Sequence, residues 1–214
     1  MRKQLRIGGK LNIPMVSKIE KLLELVSSYD YSAKEYAAGR PPERVTPFIH
    51  TELDFFVSQL PKTSAPKVLD LGSGPGEESK YIRNKFGIIP ECVDISPEML
   101  KISAEKGLPV RREDFANLSD PDNSVSGVFM NFSFLHTAKA DAIEVLGEIH
   151  RVLCPGGVLQ ITLFEGQGEG LEKKTRYQYP RFFAYYQQDE LRQVISPKFE
   201  VIRESKLKNK PRNL

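Results

Sequence analysis

"KVLDLGSGPGEES", residues 67–79, is a short apolar run that breaks into glycines at positions 72, 74 and 76. A strand that ends in a glycine turn and runs on into a helix is a binding loop in open α/β folds, and its details select the ligand. A dinucleotide loop has the spacing GxGxxG, in which the third glycine lets the helix pack close to the strand. Here that third position is Glu77, and the last glycine falls one residue early. A P-loop would close on Gly-Lys-Ser/Thr, which does not follow here. Asp70, Glu77 and Glu78 surround the turn with negative charge, which repels a pyrophosphate and suits a ligand that carries positive charge. For the loop taken alone, a tight turn with no ligand stays open as the alternative.

Outward from this loop the pattern is periodic. "GEESKYIRNKF" reads as a helix ended by Gly87, and "IPECVDIS" as a second strand. Ser96 is placed to cap, and Pro97 to begin, the helix "PEMLKISAEKG". "PVRRED" is a third strand, "SVSGVFMNF" a fourth, and "VLQITLF" a fifth that is apolar except for Gln160 and Thr162. Between the last two, "KADAIEVLGEIHRVLCPGG" sets Ile143, Leu146, Ile149 and Leu153 on one helical face. Near-continuous apolar strands alternating with helices predict an α/β fold: a doubly wound, mostly parallel Rossmann-like sheet with helices on both faces. Ahead of it, residues 14–28 place Val16, Ile19, Leu22, Leu23 and Val26 on a helical stripe, and a second helix spans about 46–59. The expected organisation is a helical extension over 1–60, a core over 61–205 and a basic tail over 206–214.

Ligands in such folds sit beyond the carboxyl ends of the strands. Asp94 ends the second strand, where a carboxylate can accept from both hydroxyls of a ribose. Asp114 ends the third beside Phe115, a pairing that suits an exocyclic amine on a flat ring. Asn131 ends the fourth beside Phe132. Each residue alone also reads as a cap or turn residue; three of them in register with the glycine loop form a site.

"VLDLGSGPGEES", "CVDISPEML", "RREDFANL", "NSVSGVFMNFSFLHT" and "IHRVLCPGGVLQITLF" together resemble the successive motifs of class I S-adenosylmethionine-dependent methyltransferases, in particular the type 11-like small-domain group. The resemblance covers about residues 29–202. It implies that Asp70, Gly72, Gly74 and Gly76 surround the methionine portion of S-adenosyl-L-methionine, that Asp94 and Ile95 hold its ribose side, that Asp114 and Phe115 hold the adenine, and that Asn131 lies near the sulfonium. Tyr36, with Arg40, resembles the residues that fold over the methionine end, a helix-packing tyrosine being the other reading. The product would be S-adenosyl-L-homocysteine. The cofactor carries a sulfonium and an ammonium and no phosphate, in agreement with the acidic loop.

Methyl transfer is an in-line displacement that expels a neutral thioether, so it calls for orientation and exclusion of water more than for a strong acid. A base is needed only where the acceptor must lose a proton, and His136 is the candidate, against a packing role. Past the fifth strand come Tyr177, Tyr179, Phe182, Phe183, Tyr185 and Tyr186, a cluster able either to line an acceptor pocket, with Phe183 and Tyr185 as the named substrate residues, or to pack the sheet edge. The family ends in a helix, a strand and a final antiparallel strand beside the fifth. "DELRQVI" and "FEVIRESKL" match the first two, but "KNKPRNL", with Pro211, does not read as a strand. The final strand is thus expected to be missing, leaving strand five with an open edge and so either marginal stability or a protein partner or homodimer contact at that edge.

Composition sets the remaining bounds. The chain has 214 residues and a net charge of +3, so nucleic acid is not the expected partner. Cys92 and Cys154 form no metal or disulfide pattern and fit a cytoplasmic setting, with a basic, acid-free start as the mitochondrial alternative. No metal and no membrane contact are expected. The function expected is methyl transfer to a small-molecule acceptor, the alternatives being a protein or RNA methyltransferase and a cofactor-binding pseudoenzyme or regulatory domain.

Overall fold

A computed structural model describes residues 18–39, 47–172 and 179–206. The start of the first expected helix, Arg40, Tyr177 and the basic tail beyond 206 lie outside the described residues. Helix α1 (Lys18–Ala38) and helix α2 (Pro47–Gln59) precede an alternating series: β1 (Val68–Leu71), α3 (Glu77–Phe86), β2 (Glu91–Asp94), α4 (Pro97–Glu105), β3 (Val110–Arg112), β4 (Val125–Asn131), α5 (Ala142–Val152) and β5 (Leu153–Thr162). A hairpin of β6 (Glu169–Glu172) and β7 (Arg181–Ala184) follows, then α6 (Gln188–Ile195).

The five strands pair in the order β3-β2-β1-β4-β5, and every pair is parallel. This is the doubly wound sheet expected from the apolar runs. β4, with all seven residues buried, sits among its neighbours covered on both faces, which is why it shows no polar alternation. One face carries Leu69, Leu71, Val128 and Met130 against Leu146 and Ile149 of α5 and partly buried residues of α6. The other carries Val68 and Phe129 against Leu53 and Phe56 of α2 and Ile82 of α3. Gly127 brings α2 close: a Cβ there would lie 2.3 Å from Leu60 and 2.7 Å from Phe56.

Several local expectations change. α1 runs ten residues past its expected end, and Leu23, expected on its apolar stripe, is 60 % exposed. On α5 the buried face is Ala142, Val145, Leu146, Ile149 and Val152, while Ile143 is 63 % exposed. The β6–β7 hairpin stands where sequence showed only glycines and aromatics. "FEVIRESKL" was expected to be a strand, yet residues 201–206 form no ladder. Arg203 pairs with Glu52 on α2, while the next residue, Glu204, pairs with Arg192 on α6. Those helices lie on opposite faces of the sheet, so the segment alternates like a strand without strand hydrogen bonds, and β5 is an edge among the described residues.

Below the sheet, Asp120 has a fully buried carboxylate held 2.5 Å from Lys67 and 2.5 Å from Arg111. Burial pushes its pKa up, but hydrogen bonds from Lys67 and Arg111 prevail and hold it below the ordinary value. A depressed carboxylate contributes stability above its unfolded pKa of about 3.9, and that stability is lost as pH falls through the folded value. Asp120→Ala leaves Arg111 short of a buried partner and is expected to cost about 3 kcal/mol, read from urea unfolding at pH 7, with the gap to wild type closing below about pH 4.

Candidate active site

The site begins where β1 ends. Gly72, Gly74 and Gly76 all have positive φ, and their surroundings separate their tasks. A Cβ on Gly72 would lie 2.3 Å from that of Ser133, and one on Gly76 would lie 2.7 Å from Ser103 Oγ and 2.8 Å from Leu108. These two glycines let the loop pack against its own protein. Gly74 has no such neighbour: the nearest atom is on the Tyr36 ring, 3.9 Å away. Its backbone is the uncrowded part of the loop. α4 clamps the turn from outside, with Ser103 donating to the Gly74 carbonyl at 2.9 Å and Lys106 to the Pro75 carbonyl.

Lys106 also corrects the charge reading. Glu77, expected to offer negative charge to a cationic ligand, is buried and holds the Lys106 ammonium at 2.6 Å. Asp70 and Asp94, the acids at the ends of β1 and β2, are both buried and both hold donors of the protein itself. Asp70 accepts from Ser79 Oγ at 2.7 Å. Asp94 accepts from the backbone amides of Gly74 at 2.8 Å and Ser96 at 2.9 Å, one on each carboxylate oxygen. Burial raises its pKa, and these amides oppose the rise. Each oxygen keeps a lone pair, so the carboxylate is aimed and still able to accept from two hydroxyls.

α1 lies across this edge. Its Asp30 accepts from Ser96 Oγ at 2.5 Å, adding an anion at the N-terminus of α4. Its Ser28 and Ser32 accept from the guanidinium of Arg181 on β7 at 2.9 and 2.8 Å. Arg181 is only 2 % exposed and lies 3.9 Å from the centroid of Tyr29. Tyr36 meets Tyr29 edge to face at 6.0 Å. These contacts join the turn after β2 to the start of β7 through one helix.

His136 closes a short 3-10 turn (Phe134–His136) after β4. Its Nδ1 lies 2.7 Å from the Phe182 carbonyl and its Nε2 2.7 Å from the Tyr29 hydroxyl. A carbonyl can only accept, so in the neutral ring the proton is on Nδ1, and Nε2 accepts from Tyr29. Phe183 lies 5.1 Å from the imidazole and stacks on Tyr185 at 6.1 Å. The Tyr185 hydroxyl donates to Glu172 at 2.8 Å. Burial, reinforced by Glu172, raises its pKa to about 12, so it stays protonated.

The remaining expected residues occupy the neighbouring strand ends. Asp114 accepts from the amide of Ala116 at 2.9 Å, a turn-capping bond, and Phe115 packs partly into the core. Ile95 follows Asp94, and its carbonyl accepts from Arg112 at 3.2 Å. Asn131 is buried beside Gln160, which donates to it at 3.3 Å. The Asn131 Nδ2 has no hydrogen-bond partner. Phe132, the next residue, has φ 58°, an uncommon conformation for a bulky side chain and one that accumulates at functional sites.

Residues 68–157 match the family model of a methyltransferase domain. That stretch, by this match, is a methyltransferase domain. Among curated relatives, the demethylmenaquinone methyltransferase of Thermus thermophilus is 32 % identical over 125 residues, covering 55 % of this chain and 54 % of the relative. The malonyl-[acyl-carrier protein] O-methyltransferase of Pectobacterium atrosepticum is 31 % identical over 149 residues, covering 66 % of this chain and 57 % of the relative. The chain thus spans a little over half the length of these two relatives. Among solved structures, a DhpI–SAH complex shares the fold with a TM-score of 0.65 at 17 % identity, covering 85 % of this chain and 88 % of that one.

Outside the stretch matched to the methyltransferase domain, Tyr29, Asp30, Ser28, Ser32 and Arg181 shape the site and were not singled out from sequence. A signal existed: Tyr29, Ser32 and Tyr36 recur at helical spacing in "SSYDYSAKEY", and Arg181 is the lone basic residue in "YPRFFAYY". The Glu77 pairing gives a direct test. Lys106→Ala strands a buried carboxylate and should lower stability by about 3 kcal/mol. Adding Glu77→Gln should recover most of that loss in thermal unfolding; no recovery would detach Glu77 from Lys106.

Proposed function

We propose that this chain binds S-adenosyl-L-methionine and transfers its methyl group to a small-molecule acceptor. The observation that carries the reading is the open backbone of Gly74, set between the aimed Asp94 carboxylate and the ring of Tyr36. The donor set fits the cofactor. Asp94, beside Ile95, would take the ribose hydroxyls; Asp114 and Phe115 the adenine; Asp70, Gly72, Gly74, Gly76 and Tyr36 the methionine end; and Asn131 the vicinity of the sulfonium. When bound, the cofactor supplies the activated methyl group. The chain's own work is to orient the acceptor in line, to exclude water beneath α1, and to provide His136 where a proton must leave.

Support for a small acceptor comes from the aromatic enclosure of Tyr29, His136, Phe183 and Tyr185 and from the matched relatives, whose names specify demethylmenaquinone and a malonyl carrier substrate. DhpI, in the shared fold, is described as an SAH complex. A protein partner or a second copy fits this reading at the outer edge of β5, which is unpaired among the described residues. Cys92 and Cys154 are both free thiols, consistent with a cytoplasmic setting, and no helix among the described residues is long and apolar enough to cross a membrane.

Calorimetric titration should give heats of binding for S-adenosylmethionine and S-adenosylhomocysteine and none for NAD; the reverse pattern overturns the reading. Asp94→Ala should weaken cofactor binding by at least tenfold, since it removes both ribose acceptors. In wild type the same binding should weaken as pH falls, and at a higher pH than an ordinary aspartate would give. The Asp94 pKa is raised by burial, and the protonated carboxyl keeps fewer acceptor sites for the hydroxyls. Incubation of cell extract with methyl-labelled cofactor then distinguishes acceptors: label in protein or RNA replaces the small-molecule assignment, and cofactor binding without any labelled product indicates a pseudoenzyme.

A further inference from the structure

We infer that Tyr29 is a catalytic residue that passes the acceptor's proton to His136, and that the acceptor is a flat molecule bearing a phenolic or enolic hydroxyl; this rests on the methyltransferase reading above. The geometry that carries it is the oriented chain Tyr29–His136–Phe182. The Phe182 carbonyl fixes the imidazole proton on Nδ1, leaving Nε2 to accept from the phenol at 2.7 Å. Tyr29 and His136 are each partly exposed, unlike the buried Arg181 beneath them. The guanidinium 3.9 Å from the Tyr29 centroid stabilises negative charge that develops on its ring as the proton leaves. Among the described residues, ionisable groups near the pair include Tyr36 on α1 and, beyond Phe183, Tyr185 with Glu172.

The proton count closes. The acceptor's O–H breaks, its proton goes to the Tyr29 oxygen, and the proton of Tyr29 moves to Nε2, giving an imidazolium whose Nδ1–H stays on Phe182. The electron pair left on the acceptor forms the bond to the methyl carbon, whose bond to sulfur breaks with its pair passing to sulfur. The imidazolium then releases its proton to solvent.

The chemistry selects the acceptor class. A neutral amine already presents its lone pair and gains nothing from a base before transfer. A phenol, with an ordinary pKa of about 10, is weakly nucleophilic until it loses its proton, and an imidazole of about 6.5 lies within reach of it when the transfer is concerted. An aliphatic alcohol is far less acidic and lies outside that reach. The stacked rings of Phe183 and Tyr185, nearly parallel at 13°, add a flat wall beside the imidazole.

The test supplies the full chain and S-adenosylmethionine with catechol and 1,4-dihydroxynaphthalene, against benzylamine and cyclohexanol, and measures methylated product by mass spectrometry. Product should form from the hydroxyaromatics alone. Tyr29→Phe and His136→Gln should each lower that rate by about 100-fold or more while leaving cofactor affinity within about threefold. The wild-type rate should rise with pH through the ordinary histidine range, and in His136→Gln the rise should move toward the ionisation of the phenol itself. Nitrogen NMR of wild type should show His136 protonated on Nδ1. Faster methylation of the amine, rates within threefold in both variants, or an Nε2–H tautomer each overturns the proposal. Cofactor binding without hydroxyaromatic product removes this proposal alone, whereas absence of cofactor binding removes the methyltransferase reading as well.

Discussion

Gly72 and Ser133 approach so closely that a hydrogen must stand where every other residue has carbon. That contact fixes the distance between the loop after β1 and the loop after β4, and with it the relation between the two halves of the site. Ser133 also donates to the Leu71 carbonyl at 2.5 Å, so the close approach is bonded as well as packed. On one side, Gly74 and Asp94 face the open edge. On the other, Ser133 lies between Asn131, which ends β4, and His136, which closes the next turn. Because the five strands are all parallel, their carboxyl ends meet along one edge; the ladder spaces the strands, and this approach sets how closely the loops after β1 and β4 meet.

The charges in the glycine loop show how tertiary structure reassigns what local sequence offers. Glu77 stands where a dinucleotide loop has glycine, and by itself it looks like part of an acidic ligand site. The fold instead places the Lys106 ammonium against it, so the pair ties α3 to the end of α4 and shapes the turn from behind. Asp70 and Asp94 are the carboxylates left at the strand ends on this side. Both carboxylates are oriented by donors within the protein, Ser79 for Asp70 and backbone amides for Asp94.

The sheet was legible because its signals are local and redundant: apolar runs, a glycine turn, Ser96 and Pro97 at the head of α4, Gly87 at the foot of α3. Long-range pairings were not legible. Nothing near Glu77 announces Lys106, and nothing near Ser28 announces Arg181, 153 positions away. "FEVIRESKL" carries strand-like alternation, but its side chains are drawn to α2 and α6 and its backbone finds no ladder. Ile143 and Leu23 matched helical stripes yet face outward, because three or four apolar positions per two turns suffice to define a buried face and a neighbour of the stripe need not belong to it. The expected residues at the strand ends are brought to one edge, but the hydrogen-bonded frame around them comes from α1 and β7, whose cues were small and aromatic residues at helical spacing.

α1 is fastened at three places: to the head of α4 through Asp30, to β7 through Ser28 and Ser32, and to the turn after β4 through Tyr29. A helix is stiff, so these fastenings cannot be released one after another without straining the rest. Loosening one of them therefore loads the others, and α1 sits against the strand ends as a single rigid brace.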